Sequence, residues 1–314
     1  MTHSSVAAQL AAWVDAQPRP LAHCYVGLSG GMDSTVLLHG MVQLRERYRA
    51  RDAEFAVSAL HLNHGLQADA DRWQQHCAAL CQSLAVPLVA QTLAPGQLRA
   101  AGGSLEAAAR AARYDFFATQ LPAGALLLLA HHADDQAETV LLRLVQGRGL
   151  LPMPQTRPLA QAALWRPLLS LPRAALTAHA SEHDLQWLED PSNADEQMDR
   201  NFLRQRVLPE LQARWPGLAA NLRRVADTAA GQNAALDAVL AGQLRLPIAL
   251  CQSPEGASIV RSWLGQFSEY EVTDRAIREF VRQLGSNSDR KPQLTLARGT
   301  LVRVKNEVCY QPAD

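Results

Sequence analysis

The sequence predicts an α/β protein: an open, doubly wound parallel sheet, followed by a second, smaller and mostly helical domain. Three observations carry this. Short apolar runs alternate with helical patterns over the first two-thirds of the chain, as they do where parallel strands are joined by right-handed crossovers. Three polar clusters each sit just after such a run: Ser29-Gly30-Gly31-Met32-Asp33-Ser34, Asn63-His64-Gly65 and His131-His132-Ala133-Asp134-Asp135. From about Arg200 the alternation stops and the pattern becomes helical. A chain of 314 residues suits two domains, since a domain runs to about 100–200 residues. The boundary is expected between residues 205 and 206.

The elements follow in order. Residues 4–14 read as a short helix closed by Pro18 and Pro20. Residues 22–28 are an apolar run that reads as a buried parallel strand. The glycine turn comes next, then a helix with Leu37, Leu38, Met41, Leu44 and Tyr48 on one face. Residues 55–62 are a second strand, 69–84 a helix and 86–93 a third strand. Pro95-Gly96 and Gly102-Gly103 bound a loop. Ser104 caps an Ala-rich helix over 105–120. Residues 125–130 are the most apolar strand, and the His-His-Ala-Asp-Asp cluster opens a helix to about Gln146. Gly147-Arg148-Gly149 and prolines 152, 154 and 158 mark a long loop, a feature usually tied to function or motion. Residues 165–169 are expected as a final strand, with Ser170 capping a helix that has Pro172 in its first turn. Residues 185–188 lead into a turn-rich Glu189-Asp190-Pro191-Ser192-Asn193. Two helical stretches, broken at Trp215-Pro216-Gly217, reach Leu240. The tail mixes a helix over 274–284 with a β-hairpin over 293–310.

Composition excludes several classes. Lys plus Arg equals Asp plus Glu at 30 each, so only a local basic face can serve nucleic-acid binding. Arginine strongly outnumbers lysine. The five cysteines are odd in number and form no Cys-x-x-Cys pair. Cys77 and Cys81 lie one helical turn apart and are expected to pack as small apolar residues, without a disulfide or metal role. No Lys/Arg-led apolar run opens the chain, so no signal peptide is expected. No apolar stretch is long enough to span a bilayer. A soluble cytoplasmic protein is expected, with no membrane partner.

The glycine turn carries the chemistry. Gly30 and Gly31 permit a tight turn and close backbone approach. Successive backbone N–H groups with a helix N-terminus behind them can cradle an anion, and Ser29 and Ser34 add hydroxyls. Asp33 repels a phosphate unless a cation, usually Mg²⁺, lies between them. No Gly-Lys-Ser/Thr follows at Walker spacing, and the glycine offsets are not those of the dinucleotide fold. An ordinary strand-to-helix turn is the competing reading. Ligands of open parallel sheets bind beyond the carboxyl ends of the strands, at the switch point. All three polar clusters should therefore meet in one crevice.

The Ser29–Ser34 stretch resembles the SGGxDS loop of the N-type ATP pyrophosphatase (PP-loop) superfamily. That resemblance implies cleavage of ATP between the α- and β-phosphates and adenylation of a carbonyl-type oxygen. The later residues narrow it. Leu62-Asn63-His64-Gly65-Leu66, Glu106 with Arg110, Arg113 and Tyr114, HHADDQAET from His131, Arg166-Pro167-Leu168-Leu169, and EDPSN from Glu189 with Asp199-Arg200-Asn201 are similar in order to the tRNA(Ile)-lysidine synthetase family. The resemblance covers roughly the first two-thirds of the chain. It implies ligation of free L-lysine to C2 of the wobble cytidine of a minor tRNA(Ile) with a CAU anticodon. ATP and Mg²⁺ would be the cofactors, and residues 206–314 would bind the tRNA. A homodimer is one assembly left open. Two departures stand out. The family's glycine-rich RGxGLxGLxGM loop reads QGRGLLPMP here, from Gln146 to Pro154. The chain also stops near the end of the family's middle domain, as a short form or one with reduced tRNA recognition.

On that resemblance, Ser29, Gly30, Gly31, Met32, Asp33 and Ser34 hold ATP, and Asp33 is the Mg²⁺ ligand. Arg110 and Arg113, one turn apart, stabilise charge on the α-phosphate. Asp135, Glu138 and Asp190 bind the lysine ammonium, with Asn193 beside them, and Asp135, Glu138 or His131 takes its proton. Each has a plainer alternative. Acids favour helix N-termini regardless of function. His131 and His132 can be satisfied core histidines, and the two arginines a solvated helix face. Arg200, Arg204, Arg206, Arg214, Arg223 and Arg224 form either a phosphate-contacting face or a plain amphipathic one. Two other functions compete: a different ATP pyrophosphatase, such as a tRNA thiolase or ammonia-using synthetase, and a nucleotide-sensing RNA-binding protein without turnover. Thiolases of this type often need cysteine pairs, which this chain lacks.

Overall fold

A computed structural model describes residues 5–16, 22–49, 55–65, 70–94, 105–147, 150–190, 195–267, 272–285 and 292–313. Of the positions named above, Pro18, Pro20, Leu66, residues 95–104, Arg148, Gly149 and residues 191–193 lie outside the described residues, as does the side chain of Glu106. The chain divides into two compact units, Met1–Ala226 and Asp227–Asp314. The contact boundary thus falls beyond the change of sequence pattern expected at 205/206.

The larger unit holds a six-stranded sheet of order β3-β2-β1-β4-β6-β5. Its strands are β1 (His23–Gly27), β2 (Ala56–Asn63), β3 (Leu88–Thr92), β4 (Leu126–Leu128), β5 (Thr156–Leu159) and β6 (Ala162–Trp165). All pairings are parallel except β5 with β6. The chain builds outward from β1 to β3 and then returns to β4, so the switch point lies between β1 and β4. Helices cover both faces. Val57 and Ala59 of β2 join Cys24, Val26 and Leu128 beneath α1 (Val6–Asp15), α2 (Met32–Arg49) and α6 (Arg173–Glu182). Leu60, Leu62 and Leu127 face Phe116 and Phe117 of α4 (Leu105–Gln120), and Leu121 just after it, on the other side. This is the period-two alternation of a strand buried on both faces.

The expected apolar face of α2 is buried: Leu37, Leu38 and Met41 are sealed from solvent and Leu44 nearly so. Ser5 caps α1, accepting the Ala8 N–H at 3.2 Å. α1 lies close on α2 because residue 40 is glycine; a Cβ there would stand 2.6 Å from Leu10 Cδ1. The helix α3 (Ala70–Ser83) buries Cys77 and Cys81, and all five cysteines are free and buried.

Three local expectations need correction. The final parallel strand is β6, Ala162–Trp165, not 165–169. It is preceded by an antiparallel edge strand in what reads as loop. The β5–β6 turn has Ala160 at φ +50°, where a glycine or asparagine would have announced a hairpin. Pro158 is tolerated because β5 is an edge. Ser170 does not cap α6; Pro172 occupies the N-cap, with no side-chain cap.

After α6 come α7 (Asp199–Phe202), a π-turn (Leu203–Val207), α8 (Leu208–Arg214) and α9 (Leu218–Leu240), with the expected break at 215–217. The smaller unit packs α10 (Ile248–Cys251), α11 (Gly256–Gly265) and α12 (Asp274–Leu284) with a four-stranded antiparallel sheet. That sheet, β7-β10-β9-β8, comprises β7 (Arg245–Pro247), β8 (Gln293–Thr295), β9 (Gly299–Val304) and β10 (Glu307–Pro312). The unit thus combines its helices with the β-structure expected over 293–310 and adds the short strand β7. Its core centres on Trp263, Phe280, Leu301 and Val308.

Candidate active site

The glycine turn leaves β1 and enters α2 directly. Gly30 sits at φ +85°, a left-handed conformation that costs a residue with a Cβ about 1–2 kcal/mol. A Cβ there would also meet Cys77 Sγ at 3.1 Å and Trp73 Cε3 at 3.2 Å. The turn is held by hydroxyls. Ser34 Oγ accepts the Ser29 N–H at 3.1 Å and donates to the Gly31 carbonyl at 3.0 Å. The two serine oxygens lie 3.0 Å apart, and the Gly31 N–H donates to Ser29 Oγ at 3.3 Å. Met32 is buried with its sulfur 3.8 Å from Thr177 Oγ1, so toward a ligand it offers its backbone. The Gly30 carbonyl accepts the Leu188 N–H at 3.0 Å. That bond brings the segment ending in Asp190 to the same turn.

At the neighbouring strand end, His132 is the N-cap of α5 (Ala133–Val145), and its N–H donates to Asp135 Oδ2 at 2.9 Å, the return half of a capping box. Its ring is almost fully buried and surrounded by carboxylates. Nε2 lies 3.7 Å from Asp33 Oδ2 and 3.4 Å from Asp135 Oδ2, and Nδ1 lies 3.6 Å from Asp134 Oδ2. Burial opposes charge on this ring, but Asp134, Asp33 and Asp135 outweigh it and raise the His132 pKa to about 10. The Asp134 N–H also approaches His132 Nδ1, at 3.3 Å, the forward half of the cap. Burial likewise opposes the charge of Asp134, yet His132 and the Arg173 N–H, which donates at 2.8 Å, bring its pKa down to about 2.

Asp33 therefore meets the α5 cluster across the switch point, as the crevice argument requires. One Asp33 oxygen, Oδ1, is buried without a hydrogen-bond partner. An orphaned hard oxygen beside a backbone cradle fits a hard divalent cation.

Asp135 and Glu138 lie deeper. Glu138 is sealed from solvent and accepts from Arg200 Nε at 2.7 Å and Arg204 Nε at 2.6 Å. Both arginines also reach Asp135 Oδ1, at 3.2 and 3.3 Å. This overturns part of the expected arginine face: Arg200 and Arg204 turn inward to the acids. Arg206 pairs with Glu196, and Arg214 lies over the Trp215 ring. Arg204 is delivered by the π-turn, a feature common at functional sites. A cavity of about 150 Å³ opens among His132, Asp134, Glu138, Arg173, Arg204 and Gln212.

His131 is held neutral: burial lowers its pKa, and Arg166, Arg200 and Arg110 reinforce this against the pull of Asp135. Its Nδ1 has no partner. Arg110 is exposed, bonded to Tyr114 Oη at 3.3 Å and stacked on that ring with Arg157. Arg113 stands near His64, whose pKa is lowered to about 4 by burial, then by Arg113 and His61. The ends of β1, β2 and β4 thus contribute to one region. Gln136 and Arg166 also bear on it. Gln136 bonds both the N–H and the carbonyl of Met153, at 2.7 and 3.0 Å, and Arg166 Nη1 donates to the Pro154 carbonyl at 2.6 Å. They pin the proline-rich loop to α5. The QAET spacing and the RPLL motif were visible in the sequence, but not the partner they share.

A model of the PP-loop domain matches residues 2–211. The tRNA(Ile)-lysidine synthase of Pseudomonas aeruginosa is 42% identical, over 92% of this chain and 69% of that protein. Those of Escherichia coli O157:H7 and Serratia proteamaculans are 40% and 37% identical, over 91% and 99% of this chain and 68% and 72% of theirs. The chain thus spans about two-thirds of these relatives. The U34-tRNA thiolase NcsA of Methanococcus maripaludis superposes with a TM-score of 0.57 at 14% identity, over 71% of this chain and 78% of that one; this shows a shared fold. A glycine turn at the switch point, an acidic helix start facing it, and relatives matched along nearly the whole chain agree: the chain belongs to the tRNA(Ile)-lysidine synthase family and uses ATP through its PP-loop domain.

Proposed function

We propose that this chain ligates free L-lysine to C2 of the wobble cytidine, position 34, of the tRNA(Ile) with a CAU anticodon, with ATP converted to AMP and pyrophosphate. One observation carries the reading: Asp33 of the nucleotide turn and the His132–Asp135 cap share a crevice, with 3.7 Å between Asp33 and His132.

The cytidine leaves its stack, as bases modified by enzymes must. Its O2 attacks the α-phosphorus and pyrophosphate departs, held until then by the Ser29–Ser34 turn. Arg110 and Arg113 stabilise charge growing on the α-phosphate. Adenylation makes C2 electrophilic. The lysine Nε–C2 bond then forms, the C2–O2 bond breaks, and AMP leaves with that oxygen. Asp33, with its unpartnered Oδ1, would hold Mg²⁺, which supplies charge neutralisation of the phosphates.

Lysine binding is assigned to Asp135, Glu138 and Asp190. An incoming ammonium shares or displaces the Arg200 and Arg204 donors that fill the Asp135 and Glu138 oxygens. The amine is a nucleophile only once deprotonated. Its proton passes to Asp135, Glu138 or the neutral His131. Residues beyond 205 bind tRNA in this reading. Exposed Arg223 and Arg224 on α9 and Arg275, Arg278 and Arg282 on α12 suit phosphate contacts, which position RNA without reading its sequence. Among the described residues no helix is long and apolar enough to cross a membrane.

The test supplies radiolabelled lysine, ATP and a tRNA(Ile) transcript with a CAU anticodon. Label should enter the tRNA with one AMP released per lysine. ATP turnover without label in tRNA would point to a different acceptor and overturn the assignment.

A further inference from the structure

On the flank of the sheet, α2 packs against α6, and three histidines meet there. His39 comes from α2; His179 lies in the last turn of α6, and His183, four residues on, is that helix's C-cap. His39 Nδ1 is 3.0 Å from His179 Nε2. The rings of His39 and His183 are 4.7 Å apart, and those of His179 and His183 4.5 Å. One ring nitrogen from each residue lies within 4.8 Å of the other two. Gln43, one turn beyond His39, adds a polar group, with its amide nitrogen 3.4 Å from His183 Nε2. Among the described residues, no carboxylate forms an ion pair with any of the three.

We infer that His39, His179 and His183 form a binding site for a divalent transition metal of the Zn²⁺ class. The i, i+4 spacing of His179 and His183, close to that of helix-borne zinc sites, brings their imidazoles together at the C-terminal end of α6. Four-coordinate zinc with Zn–N of about 2.0–2.1 Å places its nitrogens about 3.3 Å apart. The observed 3.0 Å pair already approaches this, and the third ring closes by side-chain rotation. Imidazoles alone suit Zn²⁺, Cu²⁺ or Ni²⁺ rather than Mg²⁺, so the site is chemically distinct from the oxygen site at Asp33. His39 is six residues along α2 from Asp33, about 9 Å of helix.

The position gives the site its role. α2 begins at the nucleotide turn, and α6 begins at the Arg173 N–H that holds Asp134. Thr177 of α6 touches Met32 of α2. A metal between the two helices fastens the elements that position both halves of the crevice.

The test uses the full chain without a histidine tag, stripped with a chelator. One equivalent of Co²⁺ should give visible d–d absorption that Zn²⁺ bleaches and excess Mg²⁺ does not, and Zn²⁺ should raise the Tm. His183→Gln, the half-buried position, and His39→Gln should each lose the absorption and the Tm response. Their metal-free Tm should stay near that of the parent, which shows that they fold. Absence of the absorption at one equivalent in the folded parent, or its persistence in both variants, overturns the site.

Discussion

The nucleotide turn and the start of α5 face each other across the switch point, yet they are built by opposite means. The turn is local. Six consecutive residues make it, its side-chain hydrogen bonds run among Ser29, Gly31 and Ser34, and Asp33 is its one ionisable side chain. The α5 cluster is assembled from afar. Asp135 and Glu138 are neutralised by Arg200 and Arg204, more than sixty residues later. A backbone cradle works by shape, whereas a buried acid pair works only with its counter-charges in place. The difference separates chemistry that a short motif can encode from chemistry that needs the finished fold.

Substitutions on the two sides should fail differently. Asp33→Asn keeps the shape of a partly exposed side chain and removes its charge. AMP formation should fall by about 10²-fold or more, with little change in Tm; an unchanged rate would sink the metal-ligand assignment. Glu138→Gln should instead cost stability, about 2 kcal/mol. Two arginines lose their shared anion, and their partial exposure softens the penalty for a buried broken pair. Urea denaturation measures it. Adding Arg204→Met to Glu138→Gln should recover part of the loss, because the stranded cation is removed; strict additivity would mean that the pair is not coupled.

Within the turn, the two glycines should part company. Gly30→Ala should cost about 1–2 kcal/mol through its left-handed φ, with the Cys77 and Trp73 contacts adding to it. Gly31 has no positive φ, and a Cβ there finds only Ser29 Oγ at 3.5 Å and the Leu188 carbonyl at 4.0 Å. Gly31→Ala should therefore leave the denaturation midpoint in place, and a rise in the KM for ATP would report close backbone approach by the nucleotide. An unchanged KM would remove Gly31 from the cradle.

The same contrast explains what could be read from the sequence. The order of strands and helices was legible because both faces of the sheet are buried, so the strands are apolar runs punctuated by glycine and proline. The convergence of residues 29–34 and 131–138 was legible because strand ends in such a sheet share one edge. The inward turn of Arg200 and Arg204 was not. An arginine on a helix looks the same whether it meets solvent, phosphate or a carboxylate from elsewhere in the chain. The β5 edge strand escaped because Pro158 argued against a strand and Ala160 hid the turn. The helical reading of the smaller unit missed β7 because three residues carry too little pattern to count.

The smallest effect probes the crevice from the β2 side. The folded chain holds His64 neutral down to about pH 4, through burial and then through Arg113 and His61. The unfolded chain takes up that proton near pH 6.5. Between these values the unfolded state binds more protons, so stability falls as pH drops from about 6.5 toward 4 and levels below that. His64 is partly exposed, and screening limits its share to about 1 kcal/mol. His64→Gln should flatten the stability profile in that window, although other buried histidines keep some slope. Arg113→Gln is the sharper measurement. Without the guanidinium, His64 should titrate at higher pH by a fraction of a unit, readable from its ring resonances. A His64 pKa indifferent to Arg113 would mean that this arginine points elsewhere, and the proposed contact with the α-phosphate would lose its structural support.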